Sequence, residues 1–168
     1  IVRLVGSEMC IRDRLNEVLA SGQYMVQEGA RILDIGGESS RPGAEPVGDT
    51  EEMRRVIPAI KALTKLDALI SVDTYHAVTA RAAVEAGAHI VNDISGGADP
   101  AMLDLIAESG VGVCLMHMQG TPETMQNRPA YDDVIADVAG FLQQRVQACI
   151  AAGTVSYTHL TLPTTDRV

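Results

Sequence analysis

The sequence predicts an α/β fold on a parallel sheet, and three observations carry that expectation. Short apolar runs alternate with longer segments of helical periodicity, and strict alternation of this kind implies right-handed βαβ units. The apolar runs are apolar throughout rather than every second residue, as expected of strands covered on both faces. Each run also ends in polar residues at its C-terminal edge, where parallel α/β folds gather their ligand-binding loops.

Taken in order, Leu15, Val18, Leu19, Met25 and Val26 recur at helical spacing and predict a helix over 15–28, closed by Gly29. "RILDI" at 31–35 is a short buried strand. Asp49 followed by Glu52 has the form of a capping box, and Met53, Val56, Ile57, Ile60 and Leu63 continue that helix. "ALISVD" (68–73) is the next strand, Ala77 to Ala86 an alanine-rich helix ended by Gly87, and "HIVNDI" (89–94) a third strand. Asp99-Pro100 supplies an N-cap with proline at the first helical position, for a helix carrying Met102, Leu103 and Ile106 and stopping at Gly110. "VGVCLMHM" (111–118) is the fourth strand, in which Cys114 reads as core packing. Beyond a loop with Pro122 and Pro129, a long helix is expected over 132–152, with Val134, Val138, Phe141, Leu142, Val146, Cys149 and Ile150 inward. A doubly wound sheet and a (β/α)8 barrel both fit this order. The Gly-x-Gly-x-x-Gly fingerprint is absent after the first strand, which favours a partial TIM (β/α)8 barrel of about four parallel strands.

Composition narrows the function. Hydrophobic residues make up 46% and aromatics 3% of the 168 residues, with no Trp, so the core must be aliphatic. A net charge of −9 argues against a nucleic-acid partner, which needs a basic face. No apolar run reaches the roughly 20 residues of a membrane span, and no signal-peptide pattern opens the chain. Cys10, Cys114 and Cys149 lack the spacing of a disulfide framework or a zinc site, which fits a cytoplasmic setting.

The two ends read differently from the middle. Met9 to Arg14, "MCIRDR", can be encoded by ATGTGTATAAGAGACAG, and the reverse complement of that string reads Val-Ser-Tyr-Thr-His in one frame, the residues at 155–159. Both ends thus resemble translations of one inverted DNA repeat, like the adapters of sequencing libraries. Residues 1–14 are expected to be a non-native leader and 155–168 a non-native tail, which leaves 15–154 as the barrel domain and removes Cys10, Tyr157 and His159 from any site.

Chemistry collects at the strand ends: Glu38, Ser39, Ser40 and Arg41 after the first, Asp73 and Thr74 after the second, Asn92 and Asp93 after the third, His117 and Gln119 after the fourth. Each has a plainer reading too. Asp73 and Thr74 could cap the next helix. Asn92 and Asp93 could tie loops together, and as neighbours on a strand only one of them would face a ligand. His117, between two methionines, serves equally as a packed histidine or a catalyst. Arg41, before Pro42-Gly43, is least easily structural, because its planar donors suit a phosphate or carboxylate.

"ILDIGGESSRPGAEPV", "ISVDTYHAVTARAAVEAGAHIVNDISGG" and "VCLMHMQGTPETMQ" resemble dihydropteroate synthases over nearly all of 15–154. The resemblance implies a (β/α)8 barrel that joins 4-aminobenzoate to a dihydropterin methyl diphosphate, releasing pyrophosphate with Mg2+ as cofactor. By motif position, Asp73 and Asn92 would hydrogen-bond the pterin, Ser40 would stand for the usual threonine, and Arg41 and Pro42 would meet the diphosphate and the aminobenzoate. Met116 would line the pterin pocket. Asp73 would stabilise positive charge on the pterin methylene as pyrophosphate leaves, and Arg41 would offset charge on the leaving group, the two catalytic roles. The family's metal-contacting asparagine would lie in a strand before Leu15, so no metal ligand is assigned here. Later strands, with a further aspartate, a lysine and an arginine–histidine pair, would follow Gly153. The chain as written is therefore expected to be inactive and poorly stable, and the intact protein to be a homodimer. Two other readings stand beside this one: a pterin-binding methyltransferase domain for methyltetrahydrofolate and a corrinoid partner, and a chimeric reading frame without function.

Overall fold

A computed structural model of the chain describes residues 11–39, 47–121, 124–125 and 128–154. Helix α1 (Ile11–Gln27) leads to β1 (Ile32–Gly36), α2 (Asp49–Leu63), β2 (Leu69–Asp73) and α3 (Ala77–Glu85). Strand β3 (Ile90–Asp93), α4 (Pro100–Ser109), β4 (Gly112–Leu115) and α5 (Val134–Ala151) follow. The helix expected over 15–28 thus begins at Ile11, inside the segment set aside as a leader; 1–10 and 155–168 lie outside the described residues.

All pairings are parallel, and the sheet runs β1-β2-β3-β4 in chain order. A doubly wound sheet reverses its order at a switch point; successive strands stepping one way build a barrel wall instead. The fold is therefore a four-stranded part of a (β/α)8 barrel, as expected. On the helix-covered face Leu33, Ile35, Ile70, Val72 and Val91 pack against Val18, Val56, Ile60, Leu63, Met102 and Ile106, an aliphatic core with no aromatic side chain.

The other face is not apolar. Strand alternation places Asp34, Ser71, Asp73, Asn92 and Cys114 there, while Ile32 and Leu69 at its lower end are each 47% exposed. The expectation of strands covered on both faces is corrected for this side. Cys114 is exposed rather than core, because β4 turns Gly112 and Cys114 toward that open face. An apolar run announces a strand but does not say which of its faces is covered.

Two further expectations change. The capping box does not form: Gly48 is the N-cap of α2 without a side-chain bond, Asp49 lies in the first turn, and Glu52 is buried against the next strand's end. On α5, Val134 is 53% and Ile150 39% exposed, while Val138, Phe141, Leu142 and Val146 are half-buried and Cys149 buried, as expected; Arg145 joins them and bonds the turn after β3. The cap at Asp99 is as expected, its side chain accepting from Ala101 N at 2.9 Å with Pro100 at the first turn.

Candidate functional site

The parallel register brings the strand ends into one row: Gly36 beside Asp73, Asp73 beside Asn92, Asn92 beside Cys114. After β1 the chain passes between the end of β2 and α2, closely enough at Gly37 to exclude a side chain without a shift. A Cβ on Gly36 would stand 3.4 Å from Asp73 Oδ2, and one on Gly37 would stand 2.9 Å from both Glu52 Cγ and Val56 Cγ1. Arg55 holds this passage, its Nη1 donating to the Gly37 carbonyl at 2.9 Å while Nε donates to Glu51. Glu51, bonded first by Arg54 and then by Arg55, has its carboxyl held down to about 2.

Glu38 does not present its carboxylate to a ligand. It is buried, accepting the Tyr75 hydroxyl on Oε1 at 2.5 Å and the Val47 N–H on Oε2 at 2.8 Å. One side chain thereby gathers both ends of the loop between them. Burial, then the bond to Glu38, pushes the Tyr75 phenol well above its ordinary range. Ser40, Arg41 and Pro42 belong to this loop and lie outside the described residues.

At the end of β2 the two adjacent polar residues separate. Thr74 is buried, donating to Glu52 Oε2 at 3.1 Å and accepting the His76 N–H at 3.1 Å, while His76 Nδ1 lies 2.9 Å from the same Glu52 oxygen. The N-cap of α3 is His76, with no side-chain cap bond, so capping does not fall to Asp73. Asp73 stands half-buried at the rim of the open face.

At the end of β3 the plainer reading holds for one neighbour and fails for the other. Asp93 is fully buried and ties a loop, accepting the Ser95 N–H and hydroxyl on Oδ1 at 2.7 Å each and the Gly97 N–H on Oδ2 at 2.8 Å. Asn92 turns to the open face and donates through Nδ2 to Asp34 Oδ2 at 3.2 Å. Asp34 was not among the expected site residues. Its sequence signal is a lone carboxylate inside "RILDI", a run read as uniformly buried.

Beyond β4, Met116 is exposed and its N–H donates to the Asp93 carbonyl at 3.2 Å. His117 packs edge-on against Phe141, ring centroids 5.0 Å apart, and against Tyr131 at 5.9 Å, so it serves as a packed histidine. Gln119 imitates a backbone strand, donating to the Ala130 carbonyl at 2.8 Å and accepting the Ala130 N–H at 3.2 Å.

What remains on the open face is rich in acceptors. Burial, then the carboxylates of Asp34 and Asp73, pushes the Cys114 thiol up. Such a face suits a flat ligand edge carrying N–H donors. Among the described residues no group of three or more His, Cys, Asp or Glu converges as metal ligands, and no helix is long and apolar enough to cross a membrane.

Known proteins match most of the chain. Positions 6–159 match the family described as pterin binding enzyme. The dihydropteroate synthase of Escherichia coli strain K12 is 44% identical over 140 residues, 83% of this chain and 50% of that protein. The Yersinia pestis dihydropteroate synthase in complex with a sulfonamide drug superposes with a TM-score of 0.84 at 41% identity, covering 91% of this chain and 57% of that one. The Burkholderia cenocepacia enzyme complexed with 7,8-dihydropteroate superposes with a TM-score of 0.80 at 43% identity, covering 91% and 52%. The chain thus spans about half the length of these relatives.

Proposed function

The chain belongs to the pterin binding enzyme family, and from that premise we propose that it is part of a dihydropteroate synthase, a transferase of folate biosynthesis. The reaction is substitution at carbon: the amino nitrogen of 4-aminobenzoate bonds to the methylene of a dihydropterin methyl diphosphate. The carbon–oxygen bond to the diphosphate breaks, pyrophosphate departs, and the nitrogen loses a proton to give 7,8-dihydropteroate.

The observation that carries this reading is the acceptor row on the open face, where Asp73 and Asn92 stand in register on adjacent strands. A pterin edge offers ring N–H and amino donors that such a row can take. The carboxylate of Asp73 also suits the positive charge that grows on the methylene as pyrophosphate leaves. We place Ser40, Arg41 and Pro42 at the diphosphate and the aminobenzoate, on the loop whose ends Glu38 gathers, and Met116 against the pterin face. Mg2+ would offset charge on the leaving group in the whole enzyme. The described residues supply no donor set for it, so no step here is routed through the metal. Assembly as a homodimer in the cytoplasm completes the reading.

Titration of the chain with 6-hydroxymethyl-7,8-dihydropterin diphosphate tests it. Saturable binding is expected, weakened at least tenfold by Asp73→Ala, a loss on the order of 1.4 kcal/mol. Preference for methyltetrahydrofolate, or equal binding by the variant, would overturn the assignment.

A further inference from the structure

Asp34 sits mid-strand on β1, in register with Ser71 of β2. It has no evident structural duty: its neighbours Leu33 and Ile35 supply the core on the opposite face. Yet its carboxylate reaches across β2 to β3, strands about 9.5 Å apart at ordinary sheet spacing. There Oδ2 accepts Asn92 Nδ2 at 3.2 Å. Its second oxygen, Oδ1, is buried with no hydrogen-bond partner among the described residues. A buried, unsatisfied carboxylate oxygen is costly to fold around and calls for a specific use.

The bond also settles which way the Asn92 amide points. The amide atom facing the carboxylate oxygen is Nδ2, the NH2 group and a donor. The amide carbonyl is then the atom turned away from Asp34, and Asp73 is the register partner of Asn92 on the next strand. Ser71, the small residue in line with Asp34, leaves the passage over β2 open.

We infer that Asp34 is a positioning residue: it fixes the Asn92 amide with its carbonyl toward the cleft, so that the site selects ligands whose ring edge carries N–H donors. The selection of a pterin rests on the function proposed above; the fixing of the amide does not. Without Asp34 the amide turns over freely and meets donors and acceptors alike.

Two readouts test this on the full chain. In a 1H–15N spectrum the side-chain NH2 signals of Asn92, held by the bond to Asp34 Oδ2, leave their wild-type positions in Asp34→Ala. Asp34→Asn, which can still offer a carbonyl to Nδ2, keeps the Asn92 signals near their wild-type positions, and serves if the alanine variant fails to fold. In parallel, binding of 6-hydroxymethylpterin, followed by its fluorescence, weakens at least tenfold in Asp34→Ala and less in Asp34→Asn. Asn92 signals that stay at their wild-type positions in Asp34→Ala overturn the positioning role. Pterin binding unchanged by both substitutions overturns the selectivity. Absence of pterin binding by the wild type refutes the proposed function instead, and the Asn92 signals still decide the role of Asp34.

Discussion

Gly37→Ala is the substitution whose cost the structure specifies best. The added methyl would stand 2.9 Å from Glu52 Cγ, 2.9 Å from Val56 Cγ1 and 3.0 Å from the Glu52 carbonyl oxygen. Glu52 and Val56 are both buried, and the carbonyl is helix backbone, so neither side can yield like a flexible chain end. The Gly37 backbone does not lie in the left-handed region, so the penalty is steric rather than conformational. Overpacking of this kind costs about 1–3 kcal/mol. For a chain of this size that lowers Tm by roughly 2 to 12 °C. Gly140→Ala is the internal control: it lies in α5 with open space around its Cβ, and should stabilise by about 0.5–1 kcal/mol. Thermal unfolding followed by circular dichroism at 222 nm reads both. If Gly37→Ala melts with the wild type while Gly140→Ala rises as expected, the close passage of the β1 loop against α2 is wrong.

Two other outcomes follow from the titrating groups. The Tyr75 phenol is raised by burial and by its bond to Glu38, so the unfolded chain ionises first; the stabilisation is complete below the ordinary phenol value near 10 and is lost as pH rises past it. Melting curves between pH 8 and 11 should therefore fall less steeply for Tyr75→Phe than for wild type, and parallel slopes would contradict the assignment. Cys114 is exposed and Cys149 buried, with burial the first cause raising each thiol. Alkylation by iodoacetamide at pH 8, followed by peptide mass spectrometry, should label Cys114 at least tenfold faster than Cys149; the reverse order would refute the placement of β4.

The fold was largely legible because its punctuation is local. Gly29, Gly87 and Gly110 end helices in positive-φ conformations that glycine adopts without strain, and Asp99-Pro100 starts one with a bonded cap. Periodicity failed where position in the sheet outweighs residue type. Cys114 belongs to an apolar run yet is exposed, and on α5 Val134 and Ile150 are exposed at the ends of an otherwise half-buried series. The site was legible only in outline. Asp73 and Asn92 were singled out by their places at strand ends, and the register sets these two candidates side by side. Glu38, Thr74, Asp93 and Gln119 carried the same signal but hold loops and neighbouring strand ends instead. Residue type announces a hydrogen bond; only the fold chooses the partner. Asp34 was hidden for the opposite reason, a single charge inside a strand whose adjacent residues, Leu33 and Ile35, point into the core.

The docking of α5 has a consequence for how the chain opens. Of its side chains only Cys149 is fully buried, and the helix is fastened by Arg145, whose Nε donates to the Gly96 carbonyl at 2.6 Å and whose Nη2 donates to the Gly97 carbonyl. Its attachment is thus a few directional bonds to one glycine turn, where α2 and α4 each have a buried aliphatic face. Such a segment detaches as a unit before the sheet melts, so its amides exchange with solvent at a lower free energy than those of the strands. The turn it releases is the one that follows Asn92 and Asp93. Fraying at the last described helix therefore loosens the turn after β3 first and leaves the aliphatic core intact.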